Sequence, residues 1–252
     1  MNPARFVFPA VLLLLAATAP AASAPPLPGA AAAPALVIRI TARQGWYDAE
    51  YRFAQPTGNV HAPGEIHIPT GREVELELVT GDASQRVRLP ALDMDVELVP
   101  GETRRLRIRS EAPGVFDSRC GLSCSAPESM MRLRVVAEDA PAFDAWLARQ
   151  RADGARPATA QATAGLHLFE DGACALCHAV RGTGARGSVG PDLTHLASRQ
   201  RIAGNWLPND TANLAGWITH AQSLKPGTQM PDLAQFNGRE LRALVAYLQG
   251  LH

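Results

Sequence analysis

The sequence has no excess charge of either sign. Its 24 Lys and Arg balance 24 Asp and Glu, for a formal net charge of +0 over 252 residues. That balance implies no polyanionic partner, and no basic run interleaved with aromatics is present to contact nucleic acid. Long apolar runs are missing beyond the N-terminus, where nothing approaches the ~20 residues a membrane helix needs. Cysteine is scarce. The four cysteines form two local pairs, Cys120 with Cys124 and Cys174 with Cys177. What remains is ordinary globular composition, 46% hydrophobic and 19% charged, at a length that suits about two domains.

The N-terminus reads as an export signal over residues 1–23. Arg5 supplies a positive start, Phe6 to Leu15 is apolar apart from Pro9, and Ala21-Ala22-Ser23-Ala24 offers small residues for processing. Pro25 disfavours a cut after Ala24, so cleavage after Ser23 is expected. The other reading is an uncleaved anchor, for which the run is short and is broken by Pro9 and Pro20. Residues 24–34 form a Pro/Ala-rich lead-in. An exported chain works in an oxidising compartment, the periplasm, where bare thiols oxidise unless a metal holds them.

Cys174-Ala175-Leu176-Cys177-His178 is a C-x-x-C-H run, the attachment pattern of a c-type haem. Two thiols add to the haem vinyl groups and the adjacent imidazole becomes one axial iron ligand, all presented by a single helical turn. The alternative is a redox or zinc C-x-x-C followed by a chance histidine. Downstream, Lys225-Pro226-Gly227-Thr228-Gln229-Met230-Pro231 offers Met230 as the second axial ligand, which raises the reduction potential because thioether sulfur favours ferrous iron. Pro191 is placed to offer its carbonyl to the His178 ring N–H, a bond that orients the imidazole. Leu241, Leu244, Val245, Leu248 and Leu251 repeat at helical spacing, with Tyr247 beside them. Gly165 and Phe169 lie one helical turn apart just before the haem motif. Met230 also has a reading as a core methionine. His167, His195 and His220 receive no role, and packing alone accounts for Trp206 and Trp217. The region 160–252 resembles a class I cytochrome c domain, which implies one covalent haem c and a glycine where the first and last helices cross.

Between Leu36 and Ala137 the periodicity changes to two. Val74, Leu76 and Leu78 alternate with Glu73, Glu75 and Glu77; Val96 and Leu98 with Asp95 and Glu97; Leu106 and Ile108 with Arg105, Arg107 and Arg109. One apolar and one charged face per strand predicts a half-buried antiparallel sheet. Turns fall at Pro69-Thr70-Gly71, Pro100-Gly101 and Pro113-Gly114. The acidic and basic strands can pair across a solvated face. Glu138 to Gln150 reads as a short amphipathic helix with Phe143, Trp146 and Leu147 on one side, and Ala152 to Ala164 as a linker. Helix and linker together occupy 138–159, between an all-β domain at 35–137 and an all-α domain at 160–252.

The order of motifs resembles the periplasmic part of cytochrome c oxidase subunit II in the variant with a fused cytochrome c. Gln44-Gly45-Trp46-Tyr47-Asp48-Ala49-Glu50-Tyr51 resembles that family's aromatic, electron-accepting strand, which singles out Trp46. Glu65-Ile66-His67-Ile68-Pro69 and Val99-Pro100-Gly101-Glu102 match further markers, and Pro113-Gly114-Val115-Phe116 leads into the metal loop. The resemblance implies a cupredoxin-like Greek-key sandwich holding a dinuclear copper centre, Cu-A, bound by two cysteines, two histidines, a methionine and a backbone carbonyl. Cys120, Cys124 and Met131 match that ligand pattern. Glu128 and Gln85 stand where the histidines belong, and Leu122 replaces an acidic residue between the cysteines. Oxygen donors are poor substitutes for imidazole at a thiolate copper site, so an ordinary Cu-A centre is disfavoured. Cys120 and Cys124 then have three readings: a local disulfide, idle thiols, or a mononuclear copper site shared with Met131. The C-x-x-x-C spacing also resembles copper chaperones of the Sco type.

The resemblance implies electron transfer through one haem c to a membrane-bound haem-copper catalytic subunit I, from a soluble or membrane donor, with no catalytic residue of the chain's own. The other reading is a soluble periplasmic module that handles copper or senses redox state through its thiols and haem. An independent haem peroxidase is a weaker reading, because it needs an open iron position where Met230 is expected.

Overall fold

The computed structural model describes residues 36–53, 59–81, 83–120 and 130–252. The leader at 1–23 and the lead-in at 24–34 lie outside them, as do Leu122, Cys124 and Glu128. Among the described residues no helix is long and apolar enough to cross a membrane.

The first half is built from strands: β1 (Val37–Arg43), β2 (Trp46–Arg52), β3 (Val60–His61), β4 (Glu65–Pro69), β5 (Val74–Thr80), β6 (Gln85–Leu89), β7 (Met94–Leu98), β8 (Thr103–Ile108), β9 (Gly114–Asp117), β10 (Arg119–Cys120) and β11 (Arg134–Glu138). They form a five-stranded sheet in the order β3-β2-β1-β5-β8 and two three-stranded sheets, β10-β6-β7 and β4-β11-β9. Alternate residues face one core shared by all three sheets: Ile38 and Ile40, Leu76 and Leu78, Ile66 and Ile68, Val87 and Leu89, and Val135. This is the β sandwich that the alternation predicts.

The outward charges pair as expected. β5 and β8 are antiparallel with Glu75 opposite Arg107 and Glu77 opposite Arg105, and Arg105 reaches Glu77 at 3.0 Å. Arg86 and Arg88 both reach Asp95 across β6 and β7. The exposed pairs with Asp95 contribute about 0–1 kcal/mol each, whereas Glu77 is itself buried beneath Arg52 and Arg105; the pairs also fix register, because a one-residue slip would turn the apolar side chains outward. The purely antiparallel expectation fails at two places. β1 pairs parallel with β5, and β4 pairs parallel with β11. Alternation reports which face of a strand is buried and says nothing about the direction of its neighbour.

Helix α1 (Ala140–Arg151) follows, capped by Asp139, which accepts a hydrogen bond from the Ala142 N–H at 2.9 Å. It buries Phe143, Trp146 and Leu147 against the sandwich. Trp146 stacks on His67 at 4.2 Å between centroids, and the His67 ring nitrogen Nδ1 donates to Glu138 Oε2 at 3.0 Å. That bond holds the Glu138 carboxyl below the usual carboxylate range, against an opposing effect of burial.

The helical half contains α2 (Ala160–Glu170), α3 (Cys174–Cys177), the short hairpin β12 (Arg201–Ile202) and β13 (Leu207–Pro208), then α4 (Thr211–Thr219), α5 (Ala221–Leu224) and α6 (Gly238–Leu248). Thr159 caps α2, so the segment read as linker to Ala164 is helical from Ala160. A capping box between Asn237 and Glu240 starts α6. That helix ends at Leu248, and Leu251 packs into the core from beyond it. The two helices cross in backbone contact at Gly165. A Cβ there would meet the Ala243 carbonyl, 2.6 Å from its carbon, and Tyr247 Cβ at 2.8 Å. Phe169 and Tyr247 close the crossing edge to face at 5.7 Å.

Two predictions follow from these contacts. Gly165→Ala gains about 1 kcal/mol of helix propensity but meets rigid backbone, at a cost of about 1–3 kcal/mol. Its thermal midpoint should fall, and an unchanged or higher midpoint would contradict the crossing. Glu138, with a lowered folded value, contributes stability above its unfolded pKa of about 4.3 and loses it as pH falls through the folded value. Glu138→Gln should therefore be less stable than wild type near neutrality in denaturant titrations, with the difference closing in acid.

Candidate cofactor site

The cysteine turn is shaped by what surrounds it. α3 is one turn, closed by the His178 N–H donating to the Cys174 carbonyl at 2.9 Å, and His178 then leaves in extended conformation. The two thiols are not bonded to each other. Burial pushes the Cys174 thiol up. A following loop crosses the turn so closely that only glycine fits. A Cβ on Gly187 would lie 2.5 Å from the His178 nitrogen, and one on Gly190 would lie 2.8 Å from His178 Nδ1. The Gly190 N–H donates to the Cys177 carbonyl at 2.8 Å. That places the Pro191 carbonyl 2.7 Å from His178 Nδ1. A carbonyl only accepts, so Nδ1 carries the proton and Nε2 is left as the lone-pair donor. Burial holds the imidazole's proton affinity below the ordinary histidine range, partly offset by that bond. A neutral imidazole with Nε2 free is the form a metal binds.

Cys174, Cys177, His178 and Met230 line one cavity of about 370 Å³, within the usual range for small-molecule sites of about 300–1,000 Å³. Phe169, Leu193, Leu214, Trp217, Ile218, Leu244 and Leu248 supply apolar walls. Leu176 and Val189, 76% and 54% exposed, mark its open side. The Met230 loop is clamped from below. Gln222 Nε2 donates to the Thr228 and Met230 carbonyls, both at 2.6 Å, and Gly227 turns with φ 81°. Two thiols on one turn, an oriented imidazole and a thioether around an apolar cavity fit a covalently held haem.

Residues 162–252 match the family model described as Cytochrome c. The chain is 34% identical over 214 residues to the "Cytochrome c oxidase subunit 2" of Alkalihalophilus pseudofirmus, covering 85% of this chain and 60% of that protein. It is 24% identical over 233 residues to the protein of the same name in Bacillus subtilis, covering 88% and 64%. The chain is thus similar to subunit 2 proteins over most of its length, and its residues 162–252 match a cytochrome c domain. It spans 60% and 64% of the length of these two relatives. Among solved structures, the periplasmic domain of subunit II of cytochrome oxidase from Bradyrhizobium japonicum aligns with 47% of this chain and 95% of that domain, at TM-score 0.43 and 16% identity. Two domains are present, a β-rich half and a helical half that matches the Cytochrome c model, and a cytochrome c domain implies haem.

The copper positions compare less well with a Cu-A ligand set. Gln85 is buried, and its side-chain oxygen accepts a hydrogen bond from the Tyr47 hydroxyl at 3.2 Å. Met131 is buried in the sandwich core. Cys120 ends β10, paired with Val87 of β6. Cys124 and Glu128 lie outside the described residues. No group of three or more His, Cys, Asp or Glu able to hold a metal occurs among the described residues. His67, the histidine nearest in sequence to these motifs, is committed to Trp146 and Glu138. Of the copper positions, the described ones are Gln85, which is hydrogen-bonded to Tyr47, Cys120 at a strand end, and Met131 in the core.

Three features escaped the sequence reading. Lys225, within the methionine motif, is fully buried, donating to the Gly45 carbonyl at 2.6 Å and the Ala203 carbonyl at 2.9 Å. The β12–β13 hairpin carries Asn205, in left-handed conformation, whose Nδ2 donates to the carbonyls of Gly64 and Arg132. Arg199 lines the cavity and donates to the Asp192 carbonyl, and burial lowers its proton affinity. The only sequence signal for these was Ala203-Gly204-Asn205, a turn tripeptide inside an otherwise helical domain. His195, given no role, is structural, with ring nitrogens near the His252 and Ala152 carbonyls. Trp217 lines the cavity, whereas Trp206 lies under the Arg132 guanidinium at 5.3 Å.

Gly190→Ala tests the cradle. The added methyl presses on the His178 ring, so haem incorporated per polypeptide should fall several-fold when the full chain is exported. Wild-type incorporation would show that the ring has room.

Proposed function

We propose that the chain is an exported, periplasmic electron carrier that passes electrons through one covalent haem c to a membrane-bound haem-copper catalytic subunit. The observation that carries this reading is the Pro191–His178 hydrogen bond within a cavity that Met230 and both cysteines also line. Cys174 and Cys177 would hold the haem as thioethers, with His178 and Met230 as axial ligands and Pro191 orienting the imidazole. When bound, the haem supplies a one-electron ferric–ferrous couple. The chain keeps water from that couple with its apolar walls and holds the potential high with a thioether ligand. The chain breaks no substrate bond of its own. Homology to subunit 2 over most of its length supports delivery to an oxidase-type partner. The Gln85 and Glu128 positions support a degenerate copper site and a route that does not depend on an ordinary Cu-A centre. A soluble or membrane-bound carrier would be the donor.

Mass spectrometry and metal analysis of the purified full chain test this. The polypeptide should carry one haem mass that survives acid–acetone extraction, with fewer than two coppers per haem. Met230→His should retain the haem and lower its reduction potential. Pigment lost to extraction would refute haem attachment, and two coppers per haem with mixed-valence near-infrared bands would refute the degenerate copper site.

A further inference from the structure

The cavity is not made by the cytochrome domain alone. Gln44, Gly45 and Trp46, at the turn between β1 and β2, line it, as do Pro63 and Gly64 just before β4. All five belong to the β sandwich. The seam that brings them there is a set of hydrogen bonds to main chain. The Lys225 ammonium, fully buried, spans 180 residues of sequence to the Gly45 carbonyl and also binds the Ala203 carbonyl. Burying an ammonium is costly unless it is hydrogen-bonded, so this position is built rather than incidental. The Arg132 N–H donates to the Gly204 carbonyl at 3.0 Å. Asn205 donates to Gly64 at 2.7 Å and to Arg132 at 3.1 Å. Gly204 has room for no side chain: a Cβ would collide with the Gly45 carbonyl and sit 2.9 Å from Lys225 Nζ. Farther along, Glu65 accepts from the Gln200 N–H at 2.9 Å. Trp46 is half-buried, with Arg43 over its ring at 5.4 Å.

Resting on the haem reading above, we infer that the β1–β2 turn is a wall of the haem pocket, locked there by Lys225, and that Trp46 faces the chain's own haem site rather than receiving electrons from a separate carrier. The first residue of the strand that resembles an electron-accepting surface lines the cavity shared with the cytochrome domain. The pocket's accessibility is therefore set across both domains, and Met230 is held in place partly by a contact that starts on its own loop at Lys225 and ends on the sandwich.

The test uses the full-length protein with haem attached, as wild type, Lys225→Met, Trp46→Ala and Trp46→Phe. Imidazole added to the ferric protein competes for the Met230 side of the pocket and reports how closed it is. Lys225→Met and Trp46→Ala should each bind imidazole at least tenfold more tightly, and Trp46→Phe should stay within threefold of wild type. Reduction by a separate, reduced soluble cytochrome c should slow in Trp46→Ala by no more than the accompanying change in haem potential accounts for. Unchanged imidazole affinity in Trp46→Ala overturns the wall, whatever Lys225→Met does to folding. A tenfold slower reduction of Trp46→Ala by the external cytochrome at unchanged haem potential overturns the inward assignment of Trp46. Wild-type protein without a covalent haem spectrum defeats the underlying haem reading as well, and is recognised before any imidazole is added.

Discussion

The absence of a side chain at Gly165 is the constraint on which the cytochrome half depends. It lets α2 and α6 touch backbone to backbone, with the Ala243 carbonyl where a Cβ would be. That contact fixes two walls of the cavity at once. Phe169 on α2 and Leu244 and Leu248 on α6 face the same space, and α2 leads within a few residues to the cysteine turn. Were the helices held apart by a methyl group, the cavity would widen where the apolar walls must exclude water. Low dielectric strengthens every electrostatic interaction inside, so the closeness of this crossing bears on redox behaviour as well as on stability.

The two halves of the chain are joined by hydrogen bonds that end on main-chain carbonyls. A buried lysine, an asparagine in left-handed conformation and a glycine of positive φ make the seam, and each is sensitive to replacement for a different reason. The lysine would leave carbonyls unmet, the asparagine would lose its donors, and the glycine has backbone against it. A partly buried arginine, Arg199, sits where the cavity and the seam meet. With Gln85 hydrogen-bonded to Tyr47 inside the sandwich, that position serves packing in the β half.

The legible parts of this fold are those set by local chemistry. The cysteine–histidine turn, the Pro191 contact, the helical stripe from Leu241 and the alternating strands can be read because a few neighbouring residues impose each of them. The capped helix at 140–151 is legible for the same reason. What could not be read is pairing at a distance. Alternation in β1 and β5 does not say that they run parallel. Nothing in Lys225-Pro226-Gly227 announces a bond to Gly45, because the partner is a backbone carbonyl and carries no residue signature. The linker reading failed at Ala160 because Ala, Thr and Gln serve a helix as well as a loop, and the deciding feature is the Thr159 cap. The metal loop was legible as a motif, yet Cys124 and Glu128 lie outside the described residues.

The central claim is that iron in this chain is bound by nitrogen from His178 and sulfur from Met230. Near-infrared magnetic circular dichroism of the ferric full-length protein reads the axial pair directly. A histidine–methionine charge-transfer band, abolished in Met230→Ala, is the predicted result. A band characteristic of two nitrogen ligands in the wild-type protein would contradict it.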